Sequence, residues 1–407
     1  MRKRLEPSVF RLPIHDIRHG FFSAVYFWRT KRVLEQDNRH PTITHQIFQK
    51  KDNVIICGTD EAIAILKTGT GYYKDYSAAA EAFEQLAQLR QQADAALRAR
   101  DYHAHKKLCA KCADLSRKLD ELWVDCFDRI QVWSLYDGDR LSAWETAMLI
   151  EGDYSLFAHL ESLYLGVLAR RTKIATNTRA LAEAARGKPV LYFADRFDYF
   201  LAQPGDGHAA QVGGAAGVCT DAMAALWQGR GLGTIPHAMI VAYGGDTALA
   251  AEKFNAFLPT VNTISLVDFD NDCVNTALAV ARRLGERLWG VRIDTAENLV
   301  DRSLQNLAHL PDEEKYGPVP LLAEKVRQAL DREGFGHVKI VVSGGLNPEK
   351  IARFEERGAP VDAYGVGSWI LSGRFDFTAD AVRLEGKNLA KVGREYKPND
   401  RLELVRG

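Results

Sequence analysis

From residue 187 onward the chain alternates short apolar runs with longer stretches whose apolar residues recur every three or four positions. The runs occupy 190–193, 235–241, 263–267, 290–293, 338–342 and 361–364, and the helical stretches include 209–229, 246–258, 271–285, 321–334 and 348–357. Strands that alternate with helices predict βαβ units and a parallel sheet. Half a dozen such units over roughly 190 residues predict an irregular, TIM-like α/β barrel rather than a short open sheet.

The chain before about residue 160 reads as mixed strand and helix, with Val54-Ile55-Ile56-Cys57-Gly58 strand-like. Residues 79–126 obey another rule. Phe83, Leu86, Ala93 and Leu97 repeat at helical spacing, and Leu108, Cys112, Leu115, Leu119, Leu122 and Cys126 step by alternating fours and threes. That period makes a packing seam, so the segment predicts two helices joined as a hairpin, with a break at 99–102. Its His103, His105, Cys109 and Cys112 have zinc-ligand chemistry. Cys112 and Cys126 fall on the seam, where cysteine serves as a small hydrophobe, and no zinc is expected.

The residues at the end of each apolar run carry the chemistry. The first run leads into Phe193-Ala194-Asp195-Arg196. The second contains His237 after Pro236. The third ends at Asp268, with Asp270 close behind, and the fourth holds Arg292 and Asp294. The last two end in Ser343-Gly344-Gly345 and Gly365-Val366-Gly367-Ser368. Barrel strands present catalytic groups at their C-terminal ends, and glycine lets bare N–H groups approach a ligand. The two glycine segments, separated by one helix, predict cups for a phosphorylated sugar. Each feature has a plainer reading: a Gly-Gly pair makes a tight turn, an Asp after a strand caps the next helix, Phe193 fills a core and His237 bonds structurally. Their meeting at one rim favours a site.

Lys plus Arg and Asp plus Glu each number 53, so the formal net charge is zero and nothing calls for nucleic acid or an anionic membrane as partner. No apolar run is long enough to span a bilayer, and Met1-Arg-Lys-Arg-Leu-Glu-Pro lacks the apolar core of a signal peptide. The six cysteines form no regular framework, which fits a reducing, cytoplasmic setting.

The segments Gly20-Phe-Phe-Ser-Ala-Val-Tyr-Phe-Trp-Arg-Thr30, Gly233-Thr-Ile-Pro-His237, Gly290-Val-Arg-Ile-Asp294, Gly334 through Gly345 and Gly365-Val-Gly-Ser368 together resemble the nicotinate phosphoribosyltransferases, in family order. The resemblance implies an N-terminal α/β open-faced sandwich over residues 1–160, carrying the insert and completed by 375–407, and a barrel over 161–374. It implies transfer of the phosphoribosyl group of 5-phosphoribosyl-1-pyrophosphate to nicotinate, with Mg²⁺, usually coupled to ATP hydrolysis, in a homodimer with sites shared between subunits. Asp294 would meet the positive charge on the ribose, and Arg292 would lie against the phosphates. Ser343, Gly344, Gly345, Gly365 and Gly367 would cradle the 5′-phosphate. Phe193 and the partner's Tyr26 would sandwich the base, Arg196 would pair with its carboxylate, His237 would be phosphorylated and Asp268 would join the Mg²⁺ or ribose shell.

The chain departs from the family pattern near the base. Ala24 stands where the family has Asp, Phe197 and Tyr199 fall in a segment commonly Arg-x-His-Pro, His208 replaces a basic residue, and Ala216 stands in a Gly-Gly-x-Asp-Gly stretch. Transfer to another pyridine-like base, or a non-catalytic paralogue that binds phosphosugars, are the two other readings.

Overall fold

The computed structural model describes residues 3–307 and 311–406. The chain forms two compact units, residues 1–170 with 375–407 and residues 171–374. None of the described helices is long and apolar enough to cross a membrane.

The first unit is built on a six-stranded antiparallel sheet. Its order is Lys387–Asn388, Phe377–Leu384, Thr42–Gln49, Thr146–Asp153, Ile130–Ser134 and Glu403–Leu404. The late strand Phe377–Leu384 lies directly against Thr42–Gln49, so the C-terminal end of the chain finishes the N-terminal sheet. Ile47, Val132, Met148 and Ile150 point from the strands into a core shared with Ile63 and Leu66 of the helix Thr59–Gly69 and with Phe157.

The insert is a helical hairpin, Tyr76–Arg98 and Tyr102–Leu122. Each helix starts at an aspartate whose carboxylate accepts a backbone N–H, Asp75 from Ala78 and Asp101 from Ala104. The turn between them places Arg100 at φ +58°. Ala79, Ala82, Phe83, Leu86 and Leu119 form the seam, with Cys112, Leu115 and Leu122 packed against it. The period overruns at its end. The helix stops at Leu122, residues Trp123–Asp125 pair as a strand with Gly71–Tyr73, and Cys126 is buried beyond them rather than on the seam. His105 Nδ1 lies 2.9 Å from the Ala93 carbonyl.

The second unit holds six parallel strands, β1 (Val190–Tyr192), β2 (Gly217–Val218), β3 (Thr263–Leu266), β4 (Leu288–Ile293), β5 (Lys339–Val342) and β6 (Ala363–Val366). They make one curled sheet in the order β3-β4-β5-β6-β1-β2. Between its edges runs the segment 232–235: Leu232 N–H donates to the Val218 carbonyl on one side and Ile235 N–H to the Ile264 carbonyl on the other. Val291, Ile293, Ile340, Val342 and Tyr364 are buried in the strands, and Val280, Leu284, Leu322, Val326, Leu330, Ile351 and Phe354 in the helices beside them.

Two of the sequence expectations are corrected here. Residues 235–241 are not a strand: Pro236 precedes a six-residue helix, His237–Ala242, that buries Ile240 and leaves Val241 62% exposed. A short apolar run does not distinguish strand from helix. Residues 209–229 are not one helix either. The helix Gln203–Gly213 ends where Gly214 turns to φ +108°, and Gly217–Val218 then adds an edge strand.

Candidate active site

The C-terminal ends of β1, β2, β4, β5 and β6 open into a cavity of about 470 Å³ within the second unit, and neither Asp268, beyond β3, nor His237 is among its lining residues. Phe193, Asp195, Arg196 and Phe197 line it from the end of β1, Cys219 from β2, Arg292 and Asp294 from β4, Ser343, Gly344 and Gly345 from β5, and Gly365 and Gly367 from β6. A larger hollow of about 650 Å³ shares Glu297 with it but contains neither the glycines nor the strand-end aspartates.

Asp294 is held on both oxygens. Ser343 Oγ donates to Oδ1 at 2.6 Å and Arg292 Nη2 donates to Oδ2 at 3.3 Å. No helix starts directly after it, so it is not a helix cap. Arg292 is mostly buried, and burial lowers its pKa, opposed by Asp294 and Asp268. Guanidinium remains cationic in proteins, so the site keeps a desolvated positive charge beside a carboxylate. Arg292 Nε is buried without a hydrogen-bond partner among the described residues. Its guanidinium carbon lies 5.8 Å from the Phe193 ring centre.

Asp268 is 8% exposed at its side chain, and its Oδ2 lies 3.1 Å from His237 Nε2. The hydrogen bond to Asp268 is the largest cause raising the His237 pKa above its ordinary 6.5. The capping alternative fails for Asp268, because Asp272 caps the next helix by accepting the Asn275 N–H. Asp268 Oδ1 is buried with no hydrogen-bond partner among the described residues. An unpaired buried carboxylate oxygen is a hard donor of the kind magnesium takes.

The glycines divide into two kinds. Gly344 and Gly345 turn to φ +95° and +57°, the left-handed region that favours glycine. Gly365 and Gly367 instead make room for aromatic rings. A Cβ on Gly365 would overlap Phe193, and one on Gly367 would overlap Phe197. Phe197 is thus packed on the second glycine segment, with Arg196 over its ring at 5.7 Å.

Arg196 is exposed at the mouth and makes no ion pair among the described residues. Tyr26 lies in the first unit, at the start of the helix Val25–Gln36, with 64% of its surface exposed. Ala24 sits at the N-cap of that helix with no side chain to accept a bond, and its own N–H donates to Ser162 Oγ. His208 lies in the helix Gln203–Gly213, while Ala216 donates its N–H to the Val190 carbonyl beside β1. Two further features of the cavity leave no trace in the linear pattern. Cys219 Sγ donates to Asp195 Oδ1 at 3.3 Å, and burial, reinforced by Asp195, pushes its thiol up to about 12. Glu297 pairs with Lys350 at the glycine turn. No local period marks either, because each joins residues far apart in the chain.

No family model matches the sequence. Nicotinate phosphoribosyltransferase pncB1 of Mycobacterium tuberculosis is 29% identical over 252 residues, which is 60% of this chain and 51% of that protein. Nicotinate phosphoribosyltransferase of Bacillus subtilis is 22% identical over 243 residues, 59% of this chain and 45% of that protein. The chain therefore spans about half the length of the curated relatives it matches. Among solved structures, nicotinate-nucleotide pyrophosphorylase from Pyrococcus furiosus superposes with a TM-score of 0.70 at 26% identity, covering 97% of this chain and 86% of that one. Human nicotinic acid phosphoribosyltransferase shares the fold, with a TM-score of 0.59 at 15% identity over 92% of this chain and 77% of that one. The relatives that this chain resembles in sequence are thus nicotinate phosphoribosyltransferases, and its fold is shared with the human enzyme of that name.

Proposed function

We propose that the protein transfers the phosphoribosyl group of 5-phosphoribosyl-1-pyrophosphate to nicotinate, giving nicotinate mononucleotide and pyrophosphate for NAD biosynthesis by salvage. The observation that carries the reading is Asp294, fixed by Ser343 and Arg292 at a mouth floored by the Gly344-Gly345 turn.

The pyridine nitrogen lone pair forms the new bond to C1′ as the bond from C1′ to the pyrophosphate oxygen breaks. That nitrogen carries no proton, so no general base is required. The demand is electrostatic: the ribose becomes cationic in the transition state while the leaving group gains charge. The Asp294 carboxylate, oriented before substrate arrives, stabilises the first charge. Arg292 stabilises the second. The backbone N–H groups of the Gly344-Gly345 turn hold the 5′-phosphate, with Ser343, Gly365 and Gly367 closing the cradle. Phe193 offers one face for the pyridine, and in a homodimer Tyr26 of the partner subunit supplies the other. Arg196 pairs with the nicotinate carboxylate.

Asp268, through its unpaired oxygen, fits a magnesium ligand. What the ion supplies when bound is neutralisation of the departing pyrophosphate. His237 is the residue that ATP would phosphorylate, and its bond to Asp268 orients the ring. In this reading the enzyme works in the cytoplasm on small-molecule substrates, without a nucleic-acid or membrane partner.

Phe197 supports a second reading with a different pyridine-like base. Its ring packs on Gly367, at a position where the family pattern has arginine; of the two arginines lining the cavity, Arg292 is paired with Asp294, which leaves Arg196 for the base. A base with one carboxylate suits that pocket; quinolinate, with two, does not. Incubation with 5-phosphoribosyl-1-pyrophosphate, Mg²⁺ and either nicotinate, nicotinamide or quinolinate tests both readings. Pyrophosphate release with nicotinate supports the first, and release with another base alone replaces it.

A further inference from the structure

Lys350 and Glu297 meet at the glycine turn in an arrangement that the transfer reaction does not explain. Lys350 lies in the first turn of the helix Pro348–Glu356, where Asn347 caps the helix by accepting the Lys350 N–H at 2.7 Å. Its ammonium donates to the Gly345 carbonyl at 2.8 Å and to the Glu297 carboxylate. That carboxylate lies over Gly345, where an added Cβ would collide with it. A side-chain anion therefore stands against the turn and the helix N-terminus, the place that favours a phosphate.

We propose that Lys350 is a ligand of the substrate's phosphate monoester, and that Glu297 holds its place in the free protein until the phosphate displaces it. The proposal rests on the phosphosugar reading above. Two anions cannot share one cationic cup without strong repulsion, and a phosphate brings up to two charges and three acceptor oxygens against the single charge of a carboxylate. The Glu297 side chain is 62% exposed. With its carboxylate this exposed, the pair holds weakly and exchanges readily. The bond to the Gly345 carbonyl keeps the ammonium beside the glycine turn after Glu297 leaves. Both residues border the larger hollow, and Glu297 alone of the two also lines the glycine cavity, so the pair stands at the wall between them and Glu297 has space to turn into.

The two residues are predicted to act with opposite sign, which separates this role from a structural strap. A strap would weaken ligand binding when either partner is lost. A competing anion would strengthen it when removed. The test is calorimetric titration of the full chain with ribose 5-phosphate. The expected results are about threefold to tenfold tighter binding in Glu297→Gln, about tenfold or more weaker binding in Lys350→Met, and binding within about threefold of wild type in Lys350→Arg. Thermal melting reports whether each variant is folded, and if Lys350→Met is not, the sign of the Glu297→Gln effect decides alone. Equal affinity, or weaker binding in Glu297→Gln, overturns the proposal while leaving the phosphosugar reading intact. A wild-type protein that binds neither ribose 5-phosphate nor 5-phosphoribosyl-1-pyrophosphate overturns both.

Discussion

Ser343 Oγ donates a hydrogen bond to Asp294 Oδ1 across 2.6 Å, tying the end of β5 to the end of β4. One bond thus joins the glycine turn to the carboxylate. Asp294→Asn should keep the shape and remove the charge, lowering kcat by about a hundredfold or more. Ser343→Ala should leave the charge but free its orientation, and lower kcat by about tenfold. Steady-state kinetics with unchanged melting temperature checks both, and a larger loss from Ser343→Ala than from Asp294→Asn would contradict the assignment.

Arg196 is assigned to the base and not to the phosphosugar. Arg196→Ala should raise the KM for nicotinate by about tenfold or more while the affinity for 5-phosphoribosyl-1-pyrophosphate stays within about twofold. If both substrates weaken together, Arg196 has another role.

The pair His237 and Asp268 makes a pH prediction. The folded-state pKa of His237 is raised, first by the hydrogen bond to Asp268. Its contribution to stability is therefore complete below the ordinary value of 6.5 and is lost as pH rises through the higher folded-state value. Proton NMR titration should place His237 above 6.5, and Asp268→Asn should bring it down. His237→Ala should abolish ATP stimulation and leave slow uncoupled transfer.

The helical hairpin should be separable from the chemistry. Leu86 and Leu119 are fully buried in its seam. Leu86→Ala or Leu119→Ala should destabilise the protein by about 2–5 kcal/mol, measured by chemical denaturation. Turnover at low temperature should change little.

Much of this is legible in the sequence because it is local. The run at 338–342 matches β5, and the helices at 246–258, 271–285 and 348–357 match to within a few residues, while the run at 361–364 is displaced by two from β6, which takes in Gly365 and Val366. The hairpin break at 99–102 is readable from periodicity. Local pattern fails at 235–241, where Pro236 starts a helix with a single buried side. It fails also at 209–229, where Gly214 ends a helix before an edge strand that pairs with β1. Nor does spacing reveal why Gly365 and Gly367 are glycines: the reason is the Phe193 and Phe197 rings packed on them from another strand's loop. Glu297 and Lys350, 53 positions apart, meet because β4 and β5 are neighbours in the sheet.

The central claim is that Asp294 serves a phosphoribosyl transfer at this rim. Pyrophosphate release, measured with nicotinate, 5-phosphoribosyl-1-pyrophosphate and Mg²⁺, tests it directly in the wild-type and Asp294→Asn proteins. The account predicts release by the wild type and its near-complete loss in the variant. No release by the wild type with any pyridine base, or normal release by the variant, would contradict it.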